Sequence, residues 1–406
     1  MAQEIITART LLTDIGSVEF PVITVNEDGT ILDISSNPVA LAGDHDTLTA
    51  AFFDIHTHGA VGFDVMSASP EGLSTMQRFL ASRGVAQYLP TTVTAPVSDT
   101  LRSLAALANA IEQPVRDGEA QPLGIHLEGP FLSHAKRGVH PAAELQPPSI
   151  ELFELFQEAA RGHIKLITIA PEPGAVPESS GSLLPDVYRR SSALELIRYA
   201  ASNGVRVSLG HTNATAAESL AAIDAGAVSA THTYNAMRPL DHREPGILGT
   251  MLDDHRLFAE LICDGIHAAP PLVRLWLTMK GRDRGILITD AMSATGMPDG
   301  DYSLGGLTAR VANGRALLAD DLARGKETLA GSILTMDVAV SNLRRFTKAS
   351  LATATRLASH NPAAMLKMPE RTRLAPGSVA NLNRFDKRGK LVATYLQGQL
   401  VAAFEV

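Results

Sequence analysis

Residues 51–58 read Ala-Phe-Phe-Asp-Ile-His-Thr-His. A short apolar run, 51–56, leads into His56 and His58, the pattern of a buried strand whose C-terminal end carries polar side chains. Residues i and i+2 of a strand share a face, so His56 and His58 converge on one point. Seven more such runs follow, at 86–91, 123–128, 163–169, 205–209, 228–232, 258–263 and 285–290. Their starts lie 23 to 42 residues apart, which leaves room for the crossover that parallel strands require. Helical periodicity fills several of these intervals. Residues 70–83 open on a proline and put Leu73, Met76, Phe79 and Leu80 on one face. Residues 192–201 and 214–225 read alike and stop at Asn203-Gly204 and Ala225-Gly226. Eight strand–helix units predict an α/β fold, a (β/α)8 TIM-type barrel. A doubly wound open sheet is the alternative, weakened because no GxGxxG follows the first strand.

The ends of the chain read differently. Segments 5–12, 18–25 and 30–34, then 379–385 and 391–406, are short strand-like runs between turn residues such as Asp28-Gly29 and Gly398. Neither end holds enough strands for a stable sheet. Together they predict one small β-sandwich domain, 1–50 plus 370–406, with the barrel, 51–369, inserted between. Residues 133–149 and 172–188 read as long loops, the second rich in Pro, Ser and Gly. Loops of that length serve as lids or stay disordered.

Composition narrows the class. The 406 residues are 45% hydrophobic and 19% charged, a balance that excludes wholesale disorder. A net charge of -8 argues against a general nucleic-acid binder but leaves room for a local basic pocket. Cys263 is the single cysteine, so neither a disulfide scaffold nor a cysteine-based zinc site is expected. Residues 1–12 lack a signal-peptide layout, and no run reaches 18 apolar residues. The reading is a cytoplasmic protein with no membrane partner.

Barrel chemistry concentrates at the C-terminal ends of the strands. The first run ends in His56 and His58, the third in Glu128, the fifth in His211, the sixth in His232 and the eighth in Asp290. Four histidines and two carboxylates therefore open onto one face. Imidazole and carboxylate without thiolate suit a catalytic divalent metal, zinc by default, with iron, manganese and cobalt as alternatives. An HxH pair alone is more often packing than ligation; joint placement at five strand ends changes the balance. Asp290 reads as a catalytic base rather than a helix cap. His126 reads as a packed, hydrogen-bonded histidine, and Cys263 as buried filler.

The motifs FDIHTHG (53–59), GIHLEGPFLS (124–133), KRGVHPA (136–142), LGHTNA (209–214), THTYNAM (231–237), REPGILG (243–249), ICDGIHA (262–268), ITDAMSATG (288–296) and LAGS (329–332) occur in that order. With them the chain resembles the N-acetylglucosamine-6-phosphate deacetylases of the amidohydrolase superfamily. The resemblance implies a core metal site at Glu128, His211 and His232, and a pair, His56 and His58, that lets some members hold a second ion. One or two ions per subunit are thus implied. It makes Asp290 the catalytic aspartate and His140 the group that contacts the acetamido carbonyl. It assigns the substrate phosphate to the backbone turn at Asn235 and Ala236, to Arg243, and to His267 supplied in trans by a homodimer. Physically, a phosphomonoester in an acidic protein needs a cationic pocket, and Arg243 offers paired donors; the bland alternative is a surface pair with Glu244. The 172–188 segment is longer than the family pattern. Rival readings are a deacetylase of N-acetylgalactosamine 6-phosphate, another amidohydrolase acting on an N-acyl or cyclic amide, and a barrel that has lost its chemistry.

Overall fold

The computed structural model describes residues 4–40, 46–176 and 188–402. Eight parallel strands lie side by side in chain order. They are β1 (Phe52–Thr57), β2 (Val85–Thr92), β3 (Ile125–Glu128), β4 (Ile164–Ile169), β5 (Arg206–Leu209), β6 (Ala227–Ala230), β7 (Phe258–Ile262) and β8 (Gly285–Ile288). Each bound falls within two residues of the sequence expectation. Helices cross over between them. Among these are α1 (Pro70–Ser82) after β1, α2 (Val97–Ile111) after β2, α3 (Ile150–Ala159) after β3 and α4 (Ala193–Ser202) after β4. Then come α5 (Ala216–Ala225), α6 (Gly246–Asp253), α7 (Pro270–Arg284) and, after β8, α8 (Met336–Thr347). The starts of α4 and α5 are written locally. Ser192 with Glu195, and Thr215 with Glu218, form reciprocal capping boxes, a device in which each cap contributes about 1 kcal/mol.

No regular ladder joins β8 to β1. The ring closes at its C-terminal rim instead: Asp290 N–H donates to His56 O at 2.9 Å and His58 N–H to Ala291 O at 2.7 Å. Below them the Thr289 hydroxyl donates to Asp54 at 2.5 Å. Closure is thus made by the residues that carry the polar cluster, so barrel geometry and site geometry are one constraint.

The termini pair as expected, but the runs 5–12, 18–25 and 391–406 each break into two strands and Thr47–Ala50 is added. Thr47–Ala50 lies between Thr10–Leu12, to which it is parallel, and Leu382–Phe385, to which it is antiparallel. The resulting six-stranded sheet mixes both chain ends. A three-stranded sheet, Glu4–Thr7, Pro21–Val25 and Ile31–Ser36, packs on it through Ile6, Leu11, Ile23, Leu48 and Leu382. Thr47–Ala50 escaped sequence reading because it runs almost without a break into β1. Positions 403–406 of the last expected strand lie outside the described residues.

A further sheet was not anticipated. Gly300–Leu304, Leu307–Ala312 and Arg315–Leu318 form an antiparallel meander after β8. Its turns, Gly305-Gly306 and Asn313-Gly314, all have positive φ, between 51° and 84°. Two-residue turns of this kind match the twist of a hairpin, so Asn313-Gly314 was a legible signal. The Asp64 carboxylate accepts from Ser303 Oγ at 3.1 Å and from Gly305 N–H at 2.6 Å, holding the meander against the barrel mouth.

Candidate metal and catalytic site

The strand ends bring six side chains together as two triangles of donor atoms. In the first, His211 Nε2 lies 3.0 Å from His232 Nε2, and Glu128 Oε1 lies 3.3 and 3.1 Å from them. In the second, His56 Nε2 lies 3.3 Å from His58 Nε2, and Asp290 Oδ1 lies 3.4 and 3.0 Å from them. Glu128 Oε2 completes the link, 3.5 and 3.4 Å from His56 and His58. Donors about 2.0–2.1 Å from a tetrahedral ion stand about 3.3 Å apart. Both triangles have edges of that size. A pair of imidazole nitrogens at such distances can share a proton, but two of them with a carboxylate oxygen around one point are also the donor set of a metal ion. The donor set therefore fits divalent ions.

The Glu128 and Asp290 carboxylates dominate the electrostatics of the donor histidines. Burial disfavours charge on His56, yet the Glu128 and Asp290 carboxylates outweigh it and hold its pKa well above the ordinary value. The same contest lifts His58 to about 9. Burial would raise Asp290, but the His56 and His58 rings hold it below the usual carboxylate range. Each group therefore favours charge when a neighbour supplies the opposite sign. Behind the site, burial pushes Asp54 up to about 6 against the lowering effect of Thr289.

Backbone strain collects at the same atoms. His211, His232 and Asp290 have φ of 46°, 30° and 50°. Such left-handed conformations cost non-glycine residues about 1–3 kcal/mol each and cluster at functional sites. They turn the chain just past the ends of β5, β6 and β8, where these three side chains line one cavity.

His140 stands beside the first triangle, its Nε2 3.7 Å from Glu128 Oε2. Proximity alone would let it join Glu128 and His211 around an ion. Its hydrogen bonds say otherwise. Thr94 meets His140 Nδ1 twice, through its hydroxyl at 2.8 Å, which can donate or accept, and through its N–H at 3.2 Å, which can only donate. A neutral ring accepting at Nδ1 carries its proton on Nε2. Burial first, and the neighbouring His211 ring second, hold the His140 pKa well below its ordinary value, so it is neutral. His140 thus offers an N–H donor to the cavity. Thr94 is kept close because Gly129 lacks a side chain; a Cβ there would collide with the Thr94 hydroxyl.

The loop at 133–149 is a wall rather than a loose lid. Ser133 N–H donates to His211 O at 2.9 Å, and Lys136 O lies 3.0 Å from His211 Nδ1. Arg137 donates to His140 O at 2.8 Å. Of the other expected long loop, 177–187 lie outside the described residues. Its start is anchored: Glu172 accepts from Thr212 Oγ1 at 2.5 Å and Asn213 N–H at 2.7 Å.

All this opens on a cavity of about 510 Å³. His58, Glu128, His140, His211, His232 and Asp290 line it, with Asn235, Ala236 and His267. Tyr234 and Ala236 have φ of 79° and 49°, the kind of turn backbone found at anion sites, with the Asn235 N–H itself donated to His232 O at 3.0 Å. His267 enters from the turn after β7 of its own chain, oriented by a 2.6 Å contact of its Nδ1 with Asp264. The expectation is that it reaches the phosphate from a second copy; within one chain it lines the chain's own cavity. Arg243 is exposed and is not among the cavity-lining residues. Glu244 is not its partner; that carboxylate accepts from Ala216 N–H at 2.8 Å and Gly246 N–H at 3.1 Å. His126 is packed as expected, 2.8 Å from the Thr168 hydroxyl, and Cys263 is buried. Sequence reading missed Thr94 and Glu260, and it missed Lys326–Thr328, which follow the meander and line the cavity.

The amidohydrolase family profile matches residues 47–401. The chain belongs to the amidohydrolase family. Among its relatives is the N-acetylgalactosamine-6-phosphate deacetylase of Escherichia coli O157:H7, 35% identical over 401 residues, covering 98% of this chain and 99% of that one. The N-acetylglucosamine-6-phosphate deacetylase of Bacillus subtilis is 38% identical over 328 residues, covering 80% and 76%. A mutant of the Mycobacterium smegmatis N-acetyl-D-glucosamine-6-phosphate deacetylase, solved in complex with N-acetyl-D-glucosamine-6-phosphate, superposes with a TM-score of 0.87. That pair is 32% identical and covers 99% and 100% of the two chains. No helix among the described residues is long and apolar enough to cross a membrane.

Proposed function

We propose that this amidohydrolase removes the acetyl group of N-acetylglucosamine 6-phosphate, giving glucosamine 6-phosphate and acetate. The observation that carries the reading is the pair of donor triangles sharing Glu128, opening with His140 and Asp290 onto one cavity. Glu128, His211 and His232 would hold one ion, and His56 and His58 with Asp290 a second; zinc is the default, with iron, manganese or cobalt as alternatives. When bound, a divalent cation supplies acidified water and polarises an amide carbonyl. Asp290 takes the proton of the attacking water. His140 donates from Nε2 to the carbonyl oxygen and to the oxyanion that grows there. Asp290 returns its proton to the amine, which is too basic to depart as an anion. Asn235, Ala236 and His267 bind the phosphate, and that distant grip aligns the carbonyl for attack. Arg243, exposed outside the cavity lining, is assigned to the same phosphate, in a chain that pairs as a homodimer.

The galactosamine epimer is the second reading, favoured by the near full-length match to the E. coli O157:H7 relative. We further infer a cytoplasmic enzyme whose terminal segments, 1–50 and 370–406, act as one unit beside the barrel, 51–369. The deciding experiment is acetate release by metal-replete protein from both 6-phosphates and from unphosphorylated N-acetylglucosamine. Turnover restricted to the first, abolished by chelation and restored by divalent metal, supports the proposal. Chelator-proof turnover in metal-free protein refutes it.

A further inference from the structure

Glu260 lies in the middle of β7 with no exposed surface. A carboxylate so placed needs a reason, because an ion in a barrel core costs several kcal/mol unless it is well partnered. Its Oε2 lies 3.2 Å from His56 Nδ1 and accepts from the His232 backbone N–H at 3.3 Å. Its Oε1 has no hydrogen-bond partner. Glu260 therefore touches one donor histidine of each triangle from behind and carries an orphaned oxygen.

The three other donor histidines differ. His58 Nδ1 faces the Thr91 carbonyl at 3.0 Å and His211 Nδ1 the Lys136 carbonyl at 3.0 Å. His232 Nδ1 has no hydrogen-bond partner. Only His56, of the four, has a carboxylate on its distal nitrogen.

We propose that Glu260 is the positioning residue for the His56–His58–Asp290 ion: it takes the Nδ1–H of His56 and so presents the Nε2 lone pair to that triangle. A His56 ring that gives Nε2 to an ion is neutral and keeps its one proton on Nδ1, where the Glu260 oxygen at 3.2 Å accepts it. Nε2 is then bare, and it is the atom 3.3 Å from His58 Nε2 and 3.4 Å from Asp290 Oδ1. A carboxylate behind a ligand histidine also makes the ring a stronger donor. Glu260 touches neither substrate nor ion, and it acts through His56. The inference deepens the two-ion reading of the site and rests on it.

The test measures ion binding rather than turnover. Wild-type, Glu260→Gln, His56→Ala and the double variant are stripped with chelator and titrated with zinc against a chromophoric competitor. Stoichiometry is read by elemental analysis and folding by thermal melting of the stripped proteins. Wild type takes two ions. Glu260→Gln weakens one of them about 10–100-fold, the cost typical of a lost outer partner, and leaves the other within about 3-fold. His56→Ala removes the same ion, and adding Glu260→Gln to it changes nothing further. Equal weakening of both ions, no weakening, or an unchanged effect in the His56→Ala background overturns the role of Glu260 while the two-ion reading stands. A wild type that takes up no second ion overturns both. Should Glu260→Gln fail to fold, the zinc-loaded wild type labelled with 15N-histidine decides: His56 is expected as the Nδ1–H tautomer, and an Nε2–H signal refutes the proposal.

Discussion

His140→Ala separates an oxyanion donor from a metal ligand. The structure places the ring 2% exposed, with Thr94 N–H on Nδ1 and the Nε2–H turned to the cavity beside Glu128. Removing one preorganised donor of this kind costs about 10²–10³ in kcat, or about 2.7–4 kcal/mol of transition-state stabilisation. The truncation also strips Thr94 N–H of its acceptor, which costs about 1–3 kcal/mol of stability unless water enters. Three readouts follow: acetate release under saturating N-acetylglucosamine 6-phosphate, bound metal per chain, and melting of the protein. The expected pattern is a fall in kcat of that size, a modest fall in Tm and unchanged metal content. Loss of metal in step with activity would make His140 a ligand and refute the tautomer argument. A fall in kcat under tenfold would refute its place as the oxyanion donor.

Three further outcomes are expected. Asp290→Asn keeps the Glu128–His211–His232 ion but lowers kcat by at least about 10²-fold, the lower range for a lost general base; wild-type turnover would remove it from proton transfer. Arg243→Ala reduces the preference for phosphorylated over free sugar about tenfold or more, the weight of one charge-assisted contact, read as the ratio of kcat/KM values; an unchanged ratio would exclude the phosphate contact. His360 supplies a pH signature of folding. Burial, with the Arg356 charge second to it among the lowering causes, depresses its pKa from 6.5 to about 4. Between those values the unfolded chain binds more protons, so stability present above pH 6.5 is lost as pH falls toward 4. By pH 4.5 the loss is about 2–3 kcal/mol. His360→Gln is therefore expected to lose less Tm than wild type between pH 7 and 4.5, and parallel losses would contradict the depressed pKa.

The eight barrel strands were legible because each is a short apolar run, and five of them lead into a His, Glu or Asp that an apolar core does not choose. The two capping boxes and the helical stripe from Leu73 to Leu80 were local as well. The meander after Asp290 was legible in its Asn-Gly turn and went unread because its strands are short and half-exposed. Thr47–Ala50 was hidden by its continuity with β1.

Residue chemistry at strand ends needs only a period of two and a chain direction, so the sequence by itself determined the barrel class, the face that carries the polar groups and the six residues that form the donor triangles. Distances between elements far apart in the chain are not local properties. Only the tertiary structure decided that Thr94 reaches His140 across 46 positions and that Glu260 reaches His56 across 204. It alone set which ring nitrogen faces the cavity, because a tautomer follows from the partner on the other side of the ring. It also placed His267 inside its own chain's cavity and Arg243 outside it. Both residues sit in recognisable motifs, and the direction in which a loop leaves a strand is settled by packing across the barrel mouth.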